Sequence, residues 1–255
     1  MKSKMKHQKR PKRVAICVDI AWPIRRELEI FAGCQRYANQ MGWKCSVEPA
    51  IEQQLVAGGA QVPYDGIVGR ITPRIADAAR AAGVPLVNVW LNSPVKDSPS
   101  VFVDYAESGR LAARHLLGSG FRRFGYLGIR GYTDARLQLS GFREALLAEG
   151  RSCNVFRYPP RYANRNSPYW SAFIEGLRVW IGEQKPPFGI LASEDLCCRF
   201  LIDICHEMGI KVSKDVAIIG TGNETVICTA TSQVSLALIS IMRKGASPLP
   251  NCSNA

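Results

Sequence analysis

The feature that most constrains this chain is an alternation. Short runs of β-branched and aliphatic residues are followed, repeatedly, by longer amphipathic stretches that stop at glycine. Val14 to Ile20 is such a run, the pattern of a strand buried on both faces. Ile24 to Met41 then sets Ile24, Leu28, Phe31, Cys34, Ala38 and Met41 on a helical period, and Gly42 ends it. Lys44 to Glu48, Ile67-Val68 and Pro85 to Trp90 read as further strands. Pro73 to Ala82 reads as a helix opened by its proline and stopped by Gly83. A Ser-, Pro- and Asn-rich loop over 91–100 leads to a short strand, Val101 to Val103.

The pattern then restarts. Helices are predicted over Ser108–Leu117, Ala135–Ala148, Pro168–Ile181 and Glu194–Met208. The strands between them are Phe124–Ile129, Val155-Phe156, Phe188–Ala192 and Val216–Ile219. Leu196, Phe200, Leu201, Ile204 and Met208 are expected to face inward on the last helix. Two successive βαβαβ runs predict an α/β fold of two lobes, each a parallel sheet flanked by helices. The expected divisions are a basic disordered tail (1–12), an N-terminal lobe (13–104), a C-terminal lobe (105–232) and an irregular end (233–255). In such sheets ligands bind outside the carboxyl ends of the strands. The expected site is the cleft between the lobes.

Composition narrows the function. Seven of the 33 Lys and Arg residues fall in the first thirteen positions, with no acid among them, so the rest of the chain is only mildly basic. A basic start suits nucleic acid or an anionic membrane surface, and reads more simply as a solvated tail. It is not followed by a secretory h-region, and no segment is apolar enough for a membrane span. Nine cysteines without an export signal point to a reducing, cytoplasmic setting. Cys197-Cys198 and Cys205-His206 are adjacent pairs without ligand spacing, so no metal site is expected. Gly118-Ser119-Gly120 closes a helix instead of opening one, and no Gly-x-Ser-x-Gly elbow occurs. The chain reads as a binder without a cofactor, not an enzyme.

Polar and aromatic residues cluster after the strands. They are Asp19, Trp22 and Arg25; Trp90 and Asn92; Arg130, Tyr132, Asp134 and Arg136; Ser193, Glu194 and Asp195; and Thr221, Asn223 and Glu224. Carboxylates and amides pair with neighbouring hydroxyls, and aromatic faces pack on the C–H face of a ring, so a sugar or small polyol suits this set. The alternative for Ser193, Glu194 and Asp195 is helix capping, and for Trp22 and Trp90 core packing.

At these residues the chain closely resembles the sensor domains of LacI/GalR-type repressors, whose fold is that of type I periplasmic binding proteins. The resemblance rests on VFVDYAESGRLAARHLLGSGFRRFGYLG (101–128), LSGFREAL (139–146), GILASED (189–195) and MGIKVSKDVAIIG (208–220), and spans roughly 13–232. Asn223-Glu224 leading to Cys228, with Gly33-Cys34-Gln35-Arg36-Tyr37, is most similar to the xylose-operon regulators, which carry an AraC-type helix-turn-helix domain after the sensor. The resemblance implies a sugar effector, of xylose type, for a regulator that is a homodimer in intact relatives. DNA would be contacted only through a domain missing from this chain, and no membrane is involved. The candidate contacts are Asp19, Trp22 and Arg25 from the first lobe, Asp104 at the crossover, and Arg136, Gln138, Glu194, Asp195 and Asn223 from the second.

Three departures from the family pattern stand out. Gln138 occupies the place of an effector-holding Arg. Gly222 occupies the place of a sugar-binding Asp. The pattern is lost from Ser232 onward, which reads as a C-terminal truncation. Losing the final helix would uncover on the order of a few hundred Å² of apolar surface, at a cost of several kcal/mol, so a marginal fold is expected. The rival readings are a transport-type periplasmic sugar-binding protein and a nucleic-acid binder acting through the basic tail alone, which would be salt-sensitive and sequence-blind.

Overall fold

A computed structural model describes residues 10–18, 25–58, 62–160, 168–222 and 224. Two compact units divide the chain, one ending at Phe102 and the other beginning at Val103.

The first unit runs β1 (Arg13–Cys17), α1 (Arg25–Met41), β2 (Lys44–Val47), α2 (Ile51–Gly58), β3 (Gly66–Gly69), α3 (Pro73–Ala81) and β4 (Leu86–Asn88). Its sheet is parallel, in the order β2-β1-β3-β4. α3 starts as its sequence dictates: Pro73 sits in the first turn, and the Thr72 hydroxyl accepts the Ile75 N–H at 3.3 Å. The basic stretch is engaged from Arg10 onward. The Arg10 guanidinium makes two bonds to the Asp65 carboxylate, at 3.0 and 3.2 Å, and Lys12 lies over the Trp43 ring.

The second unit runs α4 (Tyr105–Gly118), β5 (Phe124–Ile129), α5 (Thr133–Ala148), β6 (Cys153–Tyr158), α6 (Trp170–Gly182), β7 (Phe188–Ala192), α7 (Asp195–Glu207) and β8 (Val216–Ile219). Its parallel order, β6-β5-β7-β8, repeats that of the first. Every residue of β5, β7 and β8 is buried, because apolar clusters cover both faces. One cluster joins Leu127, Phe173, Leu177 and Phe188 to Leu201 and Ile204; the other joins Leu116, Phe124, Tyr126 and Phe142 to Leu191 and Ile219.

Four local expectations are corrected, and one helix is added. Val101 to Val103 is not a strand: pairing there is one bridge, Asn88 to Ser100, before Asp104 caps α4. α2 was not legible, because only Ile51 and Leu55 of its eight residues enter the core. On α1 the inward stripe is displaced: Leu28 and Met41 are 47% and 51% exposed, while the carboxylate-bearing Glu27 is buried. On α7, Leu196 and Met208 lie outward, and Cys197 and Cys198 take the inward places. β6 is longer than its apolar pair suggests, because it bonds to β5 from Cys153 to Tyr158 while its exposed Asn154 and Arg157 break the apolar run.

Helices α4 and α5 approach through glycine. A Cβ at Gly141 would overlap the Ala106 carbonyl, and one at Gly109 would overlap the Gln138 carbonyl. With backbone as the obstacle on both sides, relief requires the helices to separate. Gly141→Ala is therefore expected to cost about 1–3 kcal/mol by overpacking, read as a lower urea midpoint at unchanged slope. A midpoint equal to wild type would show that the helix pair is not tightly seated.

Candidate functional site

A parallel sheet buried on both faces leaves polar chemistry one exit, the ends of its strands. In the order β6-β5-β7-β8 the connections depart in opposite directions from β5 and β7, which makes the carboxyl ends of these two strands the switch point where ligands gather.

Gln138 on α5 is the hub at this edge of the second unit, and it is 1% exposed. Its amide nitrogen donates to the Thr221 hydroxyl at 2.7 Å and to the Ser108 hydroxyl at 3.2 Å. The Thr221 hydroxyl in turn donates to the Ala192 carbonyl at the end of β7. The Tyr126 hydroxyl donates to the Ala135 carbonyl at 2.7 Å, with Gln138 Oε1 a longer acceptor at 3.3 Å. One amide thus ties α4, α5, β5 and the segment after β8 together, and both its hydrogens are spent inside the protein. Burial pushes the Tyr126 phenol well up; the Asp134 carboxylate adds to this and Arg157 opposes it.

Asp195 and Glu194 part company. Asp195 is buried, and its carboxylate accepts the Glu224 N–H at 2.7 Å. Glu194 occupies the cap position of α7 in extended backbone, yet its side chain makes no capping bond, and it is exposed. The carboxylate of Asp195 also explains Gly222. That residue has φ +133°, and a Cβ there would lie 3.1 Å from Asp195 Oδ2. Asp104 is exposed at the start of α4, where its carboxylate accepts the Glu107 N–H at 2.8 Å. Arg136 is exposed on the first turn of α5. Asp19, Trp22 and Asn223 lie outside the described residues, as does the side chain of Arg25.

Two residues in the first unit escaped the sequence reading. Arg70 follows β3, stacks over the Trp90 ring at 4.8 Å and lies 3.7 Å from the Glu27 carboxylate. Glu27 is 2% exposed, and its second oxygen is buried without a hydrogen-bond partner. Arg70 carried a usable signal, its place directly after a strand. Glu27 carried none, because it sits in the first turn of a helix where an acid is ordinarily exposed.

The periplasmic binding protein-like domain profile matches residues 113–244, half of the chain. The chain belongs to the periplasmic binding protein-like domain family. Among curated members it is 24% identical over 201 residues to the HTH-type transcriptional regulator GntR of Escherichia coli K12, covering 75% of this chain and 59% of that one. The chain thus spans about three fifths of that relative's length. Among solved structures it is similar to a LacI-family transcriptional regulator from Rhizobium etli, with a TM-score of 0.68, 18% identity, and 86% and 82% of the two chains covered. It is also similar to the xylose-binding transcription activator xylR, with a TM-score of 0.67, 21% identity, and 84% and 55% covered. These relatives are transcription regulators, not enzymes. No helix among the described residues is long and apolar enough to cross a membrane.

Two outcomes follow from the family member's site. Gln138→Leu removes the amide donor shared by the Ser108 and Thr221 hydroxyls, and is expected to cost about 1–3 kcal/mol in urea unfolding; a neutral result would remove Gln138 from its place as hub. The second concerns alkali. Burial pushes the Cys197 and Cys205 thiols from 9.0 up to about 12. Below pH 9 both folded and unfolded chains hold these protons, and the contribution is intact. Above it only the unfolded chain releases them, so stability should fall by about 1.4 kcal/mol per pH unit per thiol until the folded thiols also ionise. Urea midpoints measured at pH 8 and pH 10 on wild type and Cys205→Ala check this, with a shallower decline expected in the variant.

Proposed function

We propose that this chain is the effector-sensing part of a LacI-type transcription regulator, and that its effector is a small sugar. The observation that carries the reading is the polar edge of the second sheet: the exposed Glu194 and Arg136 stand at the strand ends of a sheet with no other outlet, over an inner layer in which Asp195 and the Gln138–Thr221 pair hold the backbone in place. Carboxylates and amides there are the donors and acceptors that read hydroxyl groups. Membership in the periplasmic binding protein-like family supports it, as do regulators such as GntR among the relatives.

The finer reading is a pentose of xylose type, on a protein whose DNA-reading domain is of the AraC kind, acting in the cytoplasm as a homodimer. Similarity to the xylose-binding activator xylR supports that choice. The sugar acts by biasing a conformational equilibrium, and can shift it only by its difference in affinity for the two states. The DNA response then belongs to a separate domain. A transport role is less well supported, because the matched relatives are regulators.

Calorimetric titration of the full chain with xylose, ribose, arabinose, glucose and galactose tests this. Saturable heat is expected with at least one of them. Glu194→Gln, at an exposed position, is expected to weaken that binding by roughly tenfold through loss of a charge-assisted bond. No heat with any sugar, on protein shown to be folded by circular dichroism, defeats the reading.

A further inference from the structure

A second feature of the same edge is not explained by a neutral sugar. Between the end of β5 and the first turn of α5 lies a cavity of about 120 Å³, lined by Tyr126, Arg130, Tyr132, Arg136 and Arg157 among others. Three arginines line it, each from a different element: Arg130 follows β5, Arg136 belongs to the first turn of α5, and Arg157 to β6. None of the three forms an ion pair with a described residue, a state they share with Arg122, Arg123, Arg143 and Arg151; what sets them apart is that they line one cavity.

The surroundings add to the positive field. The cavity lies at the N-terminal, positive end of α5, a helix of sixteen residues whose cap residue Tyr132 makes no side-chain capping bond. Asp134 lies next in the chain to the lining residues Thr133 and Ala135, and its carboxylate accepts the Ala135 N–H at 2.9 Å. Three arginines thus line a cavity that no acid lines. Like charges placed together without partners repel, and an anion is what relieves the repulsion. The volume is too small for a whole drug-sized ligand and adequate for one phosphate or carboxylate group.

We propose that this cavity is an anion subsite taking a phosphate or carboxylate group, so that the preferred effector is an acidic sugar and not its neutral parent. The proposal rests on the reading that the strand ends of the second unit receive the effector. Arg136 and Arg157 clasp the anionic oxygens, and Arg130 closes the cavity from the strand end. Sugar hydroxyls are left to the carboxylates and amides of the neighbouring strand ends.

The test is calorimetry on the full chain at low ionic strength, comparing ribose 5-phosphate, glucose 6-phosphate and gluconate with ribose, xylose and glucose, and with inorganic phosphate alone. The acidic sugars are expected to bind roughly tenfold or more tightly than their neutral parents, with the gap narrowing as salt is raised. The double variant Arg136→Gln/Arg157→Gln should weaken the acidic sugars at least about tenfold more than their neutral parents, closing that gap. Arg122→Gln, whose guanidinium bonds the Leu117 and Phe121 carbonyls at the opposite end of the sheet, should preserve it. Both substituted residues are exposed, so loss of fold does not confound the result.

Inorganic phosphate binding that the double variant abolishes, with no sugar bound, upholds the subsite and overturns the sugar reading. Neutral sugars binding as tightly as acidic ones overturns the subsite and leaves the sugar reading standing. A double variant that weakens neutral and acidic sugars equally also overturns the subsite. Silence with every probe overturns both.

Discussion

The structure depends on burying a parallel sheet on both sides. In the second unit β5, β7 and β8 expose no residue to water, and their neighbours above and below are Phe142, Leu116, Phe173, Leu201 and other apolar side chains. A strand in that setting has no room for a charged group along its length, since an unpaired polar atom there costs several kcal/mol. Recognition chemistry is pushed to the strand ends. Arg130, Ser193, Glu194, Thr221 and Glu224 all lie within a few positions of a strand's last residue.

The same pressure explains two departures from the family pattern. A glutamine at 138 can be buried among Ser108, Thr221 and Tyr126 with its hydrogens satisfied, and an arginine in the same place would bring a charge that needs an acid or a ligand. At 222 the absence of a side chain goes with the position of Asp195. Its carboxylate occupies the space that a residue there would enter, and it holds the Glu224 N–H. The missing acid is thus partly replaced by one reaching across from α7. With both changes in place, the unpaired positive charge of this edge is carried by Arg130, Arg136 and Arg157, one strand away.

Much of this architecture was legible beforehand. β5, β7 and β8 were read with their observed ends, because continuous apolar runs bounded by polar residues leave little latitude. The reading weakened wherever burial was partial. α2 contributes two core residues, and the edge strand β6 mixes Asn154 and Arg157 with its apolar positions. On α1 a helical period could not show that Glu27 would take the inner place, since that depends on Arg70 and Arg26, one of them some forty residues away. The strand-end logic singled out Glu194, Asp195 and Arg136 as candidates, but it could not say that Asp195 would serve the protein's own backbone. It also missed Arg157, which precedes its strand's last residue and gave no sign of facing the first turn of α5.

The hydroxyl of Tyr126 has one further consequence. It anchors a central strand to the Ala135 carbonyl, in the turn of α5 that also carries Arg136. One turn on, Gln138 grips Ser108 of α4 and Thr221 beyond β8. Whatever settles against that opening turn pulls on a short relay, and α4 with the chain after β8 must either travel with it or let go of the amide. A group that displaced that opening turn would have to strain or break bonds on both flanks of the sheet.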